Sequence, residues 1–145
     1  MAYSGKYRVK NLKKYRGNLD NVIYRSTWEC RCMSYFDTNP HIIWWTSEEC
    51  IIPYRDPVTG KLRRYYPDFV ICVLQADGSK KTIMIEVKPQ HQTQEPKVQK
   101  RKTKKYINEV YTYAVNQAKW KAAIEFCKDN KWEFQVITEN ELFGK

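Results

Sequence analysis

Tyr66-Pro67-Asp68-Phe69-Val70-Ile71-Cys72-Val73-Leu74 runs into Ala76-Asp77-Gly78 and returns as Thr82-Ile83-Met84-Ile85-Glu86-Val87-Lys88. Two apolar stretches rich in β-branched residues, separated by a Gly-containing turn, predict a β-hairpin. Three charges are set into it: Asp68 near the start of one strand, Glu86 and Lys88 near the end of the other. A charge inside an apolar strand is costly unless it is paired or used. Strand side chains alternate, so Glu86 and Lys88 share one face while Ile83, Ile85 and Val87 share the other. Pairing across the turn brings Asp68 beside Glu86, and two carboxylates and a lysine converge at one end of a sheet.

Such a set suits a hard divalent cation, Mg²⁺ or Mn²⁺, which takes oxygen ligands from one or two carboxylates plus substrate phosphate and water. The ion acidifies a bound water and polarises a phosphate, and an adjacent lysine orients that water or meets the developing charge. The competing reading of each residue alone is a cross-strand ion pair at the sheet rim.

Working outward, Ser26-Thr27-Trp28-Glu29 fits a capping box, S-x-x-E, and predicts a helix that ends at Asn39-Pro40. Trp28, Cys32, Tyr35 and Phe36 recur at helical spacing as its buried face. Strands are expected over 42–45 and 49–54, then a turn at 56–60 and one long strand over 62–74. After the return strand, 82–88, residues 89–103 read as a basic loop or flap. Two helices, 104–115 and 117–130, are expected with a break at Asn116. A strand over 132–137 and a short helix capped by Thr138-Glu139-Asn140-Glu141 complete the chain. The expected fold class is α/β, a mixed sheet flanked by helices in one domain, 23–145, preceded by an irregular basic arm, 1–22.

Of 145 residues, 26 are Lys or Arg and 16 Asp or Glu, a net charge of +10. Residues 1–16 hold Lys6, Arg8, Lys10, Lys13, Lys14 and Arg16 and no acid; residues 97–105 hold Lys97, Lys100, Arg101, Lys102, Lys104 and Lys105 and no acid. These two runs exceed the whole net charge, so the remaining residues are slightly acidic overall. Basic runs interleaved with Tyr3, Tyr7 and Tyr15 favour a polyanionic partner, most simply double-stranded DNA gripped by its phosphates. Lys6, Arg8, Lys13, Lys14, Lys100, Arg101, Lys102, Lys104 and Lys105 are the candidate contacts. Arg63 and Arg64, in the strand before Asp68, clamp phosphate or decorate an edge. No apolar run approaches a transmembrane span and the N-terminus lacks a signal-peptide core, which points away from a membrane and toward the cytoplasm. Five cysteines, 30, 32, 50, 72 and 127, match no disulfide or zinc framework and read as reduced thiols.

Pro67-Asp68 … Glu86-Val87-Lys88, preceded by a helix bearing Glu29, resembles the PD-(D/E)XK nuclease signature. The resemblance implies a restriction-endonuclease-like α-β-β-β-α-β core, with Asp68 and Glu86 binding metal, Lys88 assisting the water and Glu29 as a further metal-binding acid. As the fourth residue of its capping box, Glu29 has a second role open to it, capping the helix. Met1-Ala2-Tyr3-Ser4-Gly5-Lys6, Tyr24-Arg25-Ser26-Thr27-Trp28-Glu29, Asn108-Glu109-Val110-Tyr111-Thr112 and Lys119-Trp120-Lys121-Ala122-Ala123 resemble the head-completion nucleases of T-even-like bacteriophages. Glu48 … Ile52-Pro53-Tyr54 … Pro67-Asp68-Phe69 … Glu86-Val87-Lys88 is also similar to TnsA-like transposon endonucleases. These resemblances imply an Mg²⁺-dependent DNA endonuclease in the cytoplasm of an infected bacterial cell or associated with the virion, processing packaged DNA before tail attachment, with capsid portal or neck proteins as candidate partners. The rival is a non-catalytic protein that grips DNA or docks on the capsid.

Overall fold

The computed structural model describes residues 4–142; Tyr3 and the Met1-Ala2-Tyr3 opening lie outside them. In chain order the elements are β1 (Gly5–Lys6), β2 (Ile23–Tyr24), α1 (Thr27–Thr38), β3 (Ile42–Ser47), β4 (Ile52–Arg55), β5 (Leu62–Tyr65), β6 (Phe69–Leu74), β7 (Lys80–Val87), α2 (Lys104–Asn130), β8 (Glu133–Ile137) and α3 (Glu139–Leu142). A central sheet runs β3-β6-β7-β8, with β1-β2 and β4-β5 as separate two-stranded ribbons. β6 and β7 pair antiparallel, Phe69 opposite Ile85 and Val70 opposite Met84, whereas β8 joins β7 in parallel after the α2 crossover. Without the β4-β5 ribbon, α1, β3, β6, β7, α2 and β8 give the expected core order.

Alternation along β6 and β7 builds two cores. Phe69, Ile71, Ile83, Ile85 and Val87 pack with Met33 and Phe36 of α1 and with Trp45. Val70 and Met84 point the other way, into Trp120, Ala123 and Cys127 of α2 and Ile52, Tyr54 and Tyr65 of the ribbon. The sheet is thus covered on both faces. All five cysteines are free, and among the described residues no helix is long and apolar enough to cross a membrane.

Four expectations are corrected. The run 62–74 is two strands, because buried Pro67 donates no ladder hydrogen bond and the chain changes sheets at Tyr66-Pro67-Asp68. The helix expected to break at Asn116 is continuous over 27 residues; Asn116 is buried inside it, and the packing of that face outweighs asparagine's weak helix propensity. Tyr35 is exposed, and Asp37 takes a place in the buried face of α1 instead.

The fourth correction concerns the N-terminal arm. Val9, Tyr15 and Val22 are buried in the α1-side core. Asp37, wholly buried, accepts hydrogen bonds from the Tyr7 hydroxyl (2.9 Å) and the backbone N–H groups of Lys10 (2.7 Å) and Asn11 (3.0 Å). Glu49 Oε2 accepts from the Tyr15 hydroxyl and the Asn18 N–H. Gly17, at φ +146, passes so close to Glu49 that a Cβ there would collide with its carboxylate. The arm is irregular in backbone, as expected, but it is strapped to the body.

Candidate active site

The β6–β7 register carries Asp68 level with Glu86, one residue beyond the Phe69–Ile85 pair. Asp68 Oδ2 accepts the Val87 backbone N–H at 2.8 Å, and the Asp68 carbonyl accepts the Glu48 N–H at 3.1 Å, tying the ends of β3 and β6 together. Glu86 is 5 % exposed. Its Oε1 accepts the Tyr65 hydroxyl at 2.7 Å, and its Oε2 lies 3.6 Å from Lys88 Nζ. The two carboxylates and the lysine therefore meet on the α2 side of the hairpin end.

Electrostatics bind a wider set. Burial, then Glu86, then Glu29 push the Asp68 carboxyl well above the ordinary carboxylate range. Burial raises Glu86 as well, against the Tyr65 hydrogen bond and the Lys88 and Lys119 charges, which lower it. Glu29 rises through burial and the nearby charges of Glu48 and Glu86. Cys32, one turn along α1 from Glu29, is pushed up to about 12 by burial, Asp68 and Glu29. Four acids thus share one neighbourhood. Glu48 reaches it from a left-handed backbone, φ +53, and pairs with Arg25 at 3.3 Å.

Glu29 performs only half of the capping box. Its N–H is capped by Ser26 Oγ (3.2 Å), but its Oε1 accepts from the Arg25 N–H (3.3 Å), one residue before the expected donor. The complete reciprocal box is at α3, where Glu141 Oε1 accepts the Thr138 N–H at 2.8 Å and Thr138 Oγ1 accepts the Asn140 N–H.

The donor set fits a hard cation chemically: buried oxygens crowd one another, and each carboxylate would ionise more readily beside added positive charge. It is not a finished cage. Among the described residues no group of three His, Cys, Asp or Glu side chains stands in metal-holding geometry. Asp68 and Glu86 spend oxygens on Val87, Tyr65 and Lys88 instead. Two carboxylates completed by phosphate and water suffice for Mg²⁺, which dehydrates reluctantly.

The expected phosphate contacts divide. Lys6, Arg8, Lys10 and Lys13 are exposed, as are Lys100, Arg101, Lys102, Lys104 and Lys105. Lys14 is not available: its Nζ donates to the carbonyls of Asp37 (3.1 Å) and Asn39 (2.7 Å) at the end of α1, where a cation suits the helix dipole. Arg16 lies 4.5 Å over the Trp44 ring. Arg63 pairs with Asp56 at 2.9 Å within the ribbon turn, and Arg64 is exposed. A cleft of about 630 Å³ lies between the 91–96 loop and the first half of α2, lined by His91, Lys104 and Lys105 among others. None of Asp68, Glu86 or Lys88 lines it.

A mixed sheet in this order, with carboxylates and a lysine at the end of its central hairpin, is the frame of a restriction-endonuclease-like nuclease. The chain belongs to the TnsA-like endonuclease family, whose N-terminal model matches residues 39–139. Over 98 % of its length it is 41 % identical to the head completion nuclease of Enterobacteria phage T4, of which the match covers 95 %. No solved structure matches the chain significantly. The family match contains Asp68, Glu86 and Lys88; Glu29 precedes it.

Lys119 escaped the sequence reading as a site residue. In Lys119-Trp120-Lys121 it resembles any lysine of an amphipathic helix, yet its charge reaches both Glu86 and Asp68. The one available signal was its spacing from Trp120 and Ala123, which places it beside the buried stripe.

Proposed function

We propose that the protein is a DNA nuclease dependent on Mg²⁺ or Mn²⁺ that acts in phage head completion, processing packaged DNA in the infected cell before tail attachment. The observation that carries the chemistry is the meeting of Asp68, Glu86 and Lys88 at one hairpin end, where burial raises both carboxyls and the Glu86 charge raises Asp68 further. Asp68 and Glu86 would hold the cation, and Glu29 would complete the acidic set from α1. When bound, the ion supplies Lewis acidity toward a phosphate oxygen and makes water a better nucleophile. Lys88, kept at the cluster by Glu86, orients the attacking water or meets charge building on the phosphate. Tyr65 fixes the Glu86 rotamer through its 2.7 Å hydrogen bond. The exposed basic residues of 6–13 and 100–105 would hold the DNA backbone with little sequence reading.

Plasmid nicking tests this directly. Wild type should cut with Mg²⁺ or Mn²⁺ and not with EDTA, and Asp68→Ala and Glu86→Ala should each abolish cutting while remaining folded. An Asp68→Ala protein that cuts at the wild-type rate overturns the assignment. One observation favours a second reading, a non-catalytic binding protein: the acidic cluster is already engaged by protein donors. A wild type that binds DNA but never nicks it would establish that alternative.

A further inference from the structure

Lys119 is half-buried on α2, with its ammonium 5.6 Å from the ring centre of Tyr65 and 5.9 Å from that of Tyr54. Tyr65 is the residue whose hydroxyl holds Glu86. Other cations near the body have acceptors: Lys88 has Glu86, Arg63 has Asp56, and Lys14 has the α1 carbonyls. Lys119 has none; among the described residues it makes no hydrogen bond and no ion pair. The neighbouring carboxylate offers little, because its two oxygens already face Tyr65 and Lys88.

Polar groups flank it along α2. Asn116, one turn earlier, is 4 % exposed, and its amide Nδ2 finds no acceptor. The next residue, Trp120, is 7 % exposed, and its indole N–H is directed at the Tyr65 hydroxyl. Buried donors are rarely left unsatisfied without a reason. An ammonium without an acceptor, held against the tyrosine that binds Glu86 and beside a carboxylate already engaged, leaves a place for an anion that the protein does not supply. We infer that Lys119 binds the substrate phosphate seated at the Asp68–Glu86 cluster, donating from α2 to a non-bridging oxygen; this rests on the nuclease reading of the same site. The phosphodiester would then lie between two lysines, Lys88 from the hairpin and Lys119 from the helix. Burial and the charge of Lys88 lower the Lys119 pKa, so an anion between them relieves their repulsion as well.

Three full-length proteins decide it: wild type, Lys119→Met, which keeps an unbranched stem over the two rings, and Lys119→Arg. The probe is a short DNA duplex. In EDTA, the slope of log affinity against log salt should be shallower for Lys119→Met by about 0.9, one phosphate neutralised on duplex DNA. With Mg²⁺, single-turnover cleavage should fall about 10²-fold, the scale of removing one electrostatic partner of the reacting group, and Lys119→Arg should recover part of it. Mn²⁺ binding without DNA should be unchanged or tighter, and Tm unchanged. Wild-type slope and cleavage in Lys119→Met would overturn the inference. So would a cleavage loss that comes with weakened Mn²⁺ binding and a lowered Tm that arginine does not restore, since that marks a packing role. A wild type that neither cuts nor binds Mn²⁺ would sink the nuclease reading instead, while the slope in EDTA would still decide the phosphate contact.

Discussion

Asp68 is gripped by one neutral donor and crowded by two acids, so its charge is a burden to the folded protein. Its folded pKa is raised, which means that the folded state binds its proton more tightly than the unfolded chain does. The sign follows: stability from this group is complete at low pH and is lost as pH rises from the ordinary carboxylate range through the folded pKa. Asp68→Asn keeps an acceptor for the Val87 N–H and removes the charge. Without metal it should melt higher than wild type at neutral pH, by about 4 °C if the relief is ~1 kcal/mol. The gap should close as pH falls, and Mn²⁺ should raise the Tm of wild type but not of the variant. An Asp68→Asn protein that melts lower at neutral pH would contradict the repulsion seen around this carboxyl. Strand alternation made Asp68, Glu86 and Lys88 legible, because charges inside an apolar strand stand out against a period of two. Asp37, Glu49 and Lys119 were illegible for the opposite reason. Each sits where an acid or lysine is ordinary, and only tertiary packing gives it a partner or leaves it without one.

The elements themselves were readable where a local rule met no competitor. Ser26 caps α1 and Thr138 caps α3, as the S/T-x-x-E pattern requires. The long strand and the split helix were misread because long-range packing decided both: Pro67 is a junction between two sheets, and Asn116 is carried inside α2 by the burial of Tyr106, Trp120 and Ala123 around it. The start of α1 offers the sharpest separation of structure from function. Ser26→Ala should cost about 1 kcal/mol through the missing cap and leave the cleavage rate per folded molecule intact. Glu29→Gln retains an acceptor for the Arg25 N–H and removes one charge from a crowded acidic set, so its Tm should hold or rise. Its cleavage should nevertheless fall if Glu29 helps to hold the cation. Thermal melts paired with nicking rates check both. A Glu29→Gln protein with lowered Tm and wild-type cleavage would return this residue to helix capping alone.

At the scale of the whole molecule, positive charge is arranged around the body, and the body decides which charges are free to bind. The basic N-terminal run looked in sequence like an irregular arm preceding the domain, because net charge says nothing about which lysines have partners. Buried Val9, Tyr15 and Val22, with Asp37 and Glu49 as anchors, make it part of the fold. Removing residues 1–16 should therefore unfold the α1 side and not merely weaken DNA binding. The separable experiment is neutralisation of exposed charge. Lys6→Gln, Arg8→Gln and Lys13→Gln combined should leave Tm nearly unchanged, since these side chains are exposed. The same variant should shallow the salt dependence of duplex binding by about 0.9 for each phosphate that is no longer neutralised. Lys14→Gln should do the reverse: Tm falls because the Asp37 and Asn39 carbonyls lose their donor, while the salt slope stays at wild type. Neutralising Lys100, Arg101 and Lys102 should add a further, independent decrease, because that run flanks the opening of α2 in a separate part of the chain. If the triple N-terminal variant binds duplex DNA with an undiminished slope, those charges do not face the DNA. An acidic protein surface, such as a capsid component, would then be the partner to test against the same variants.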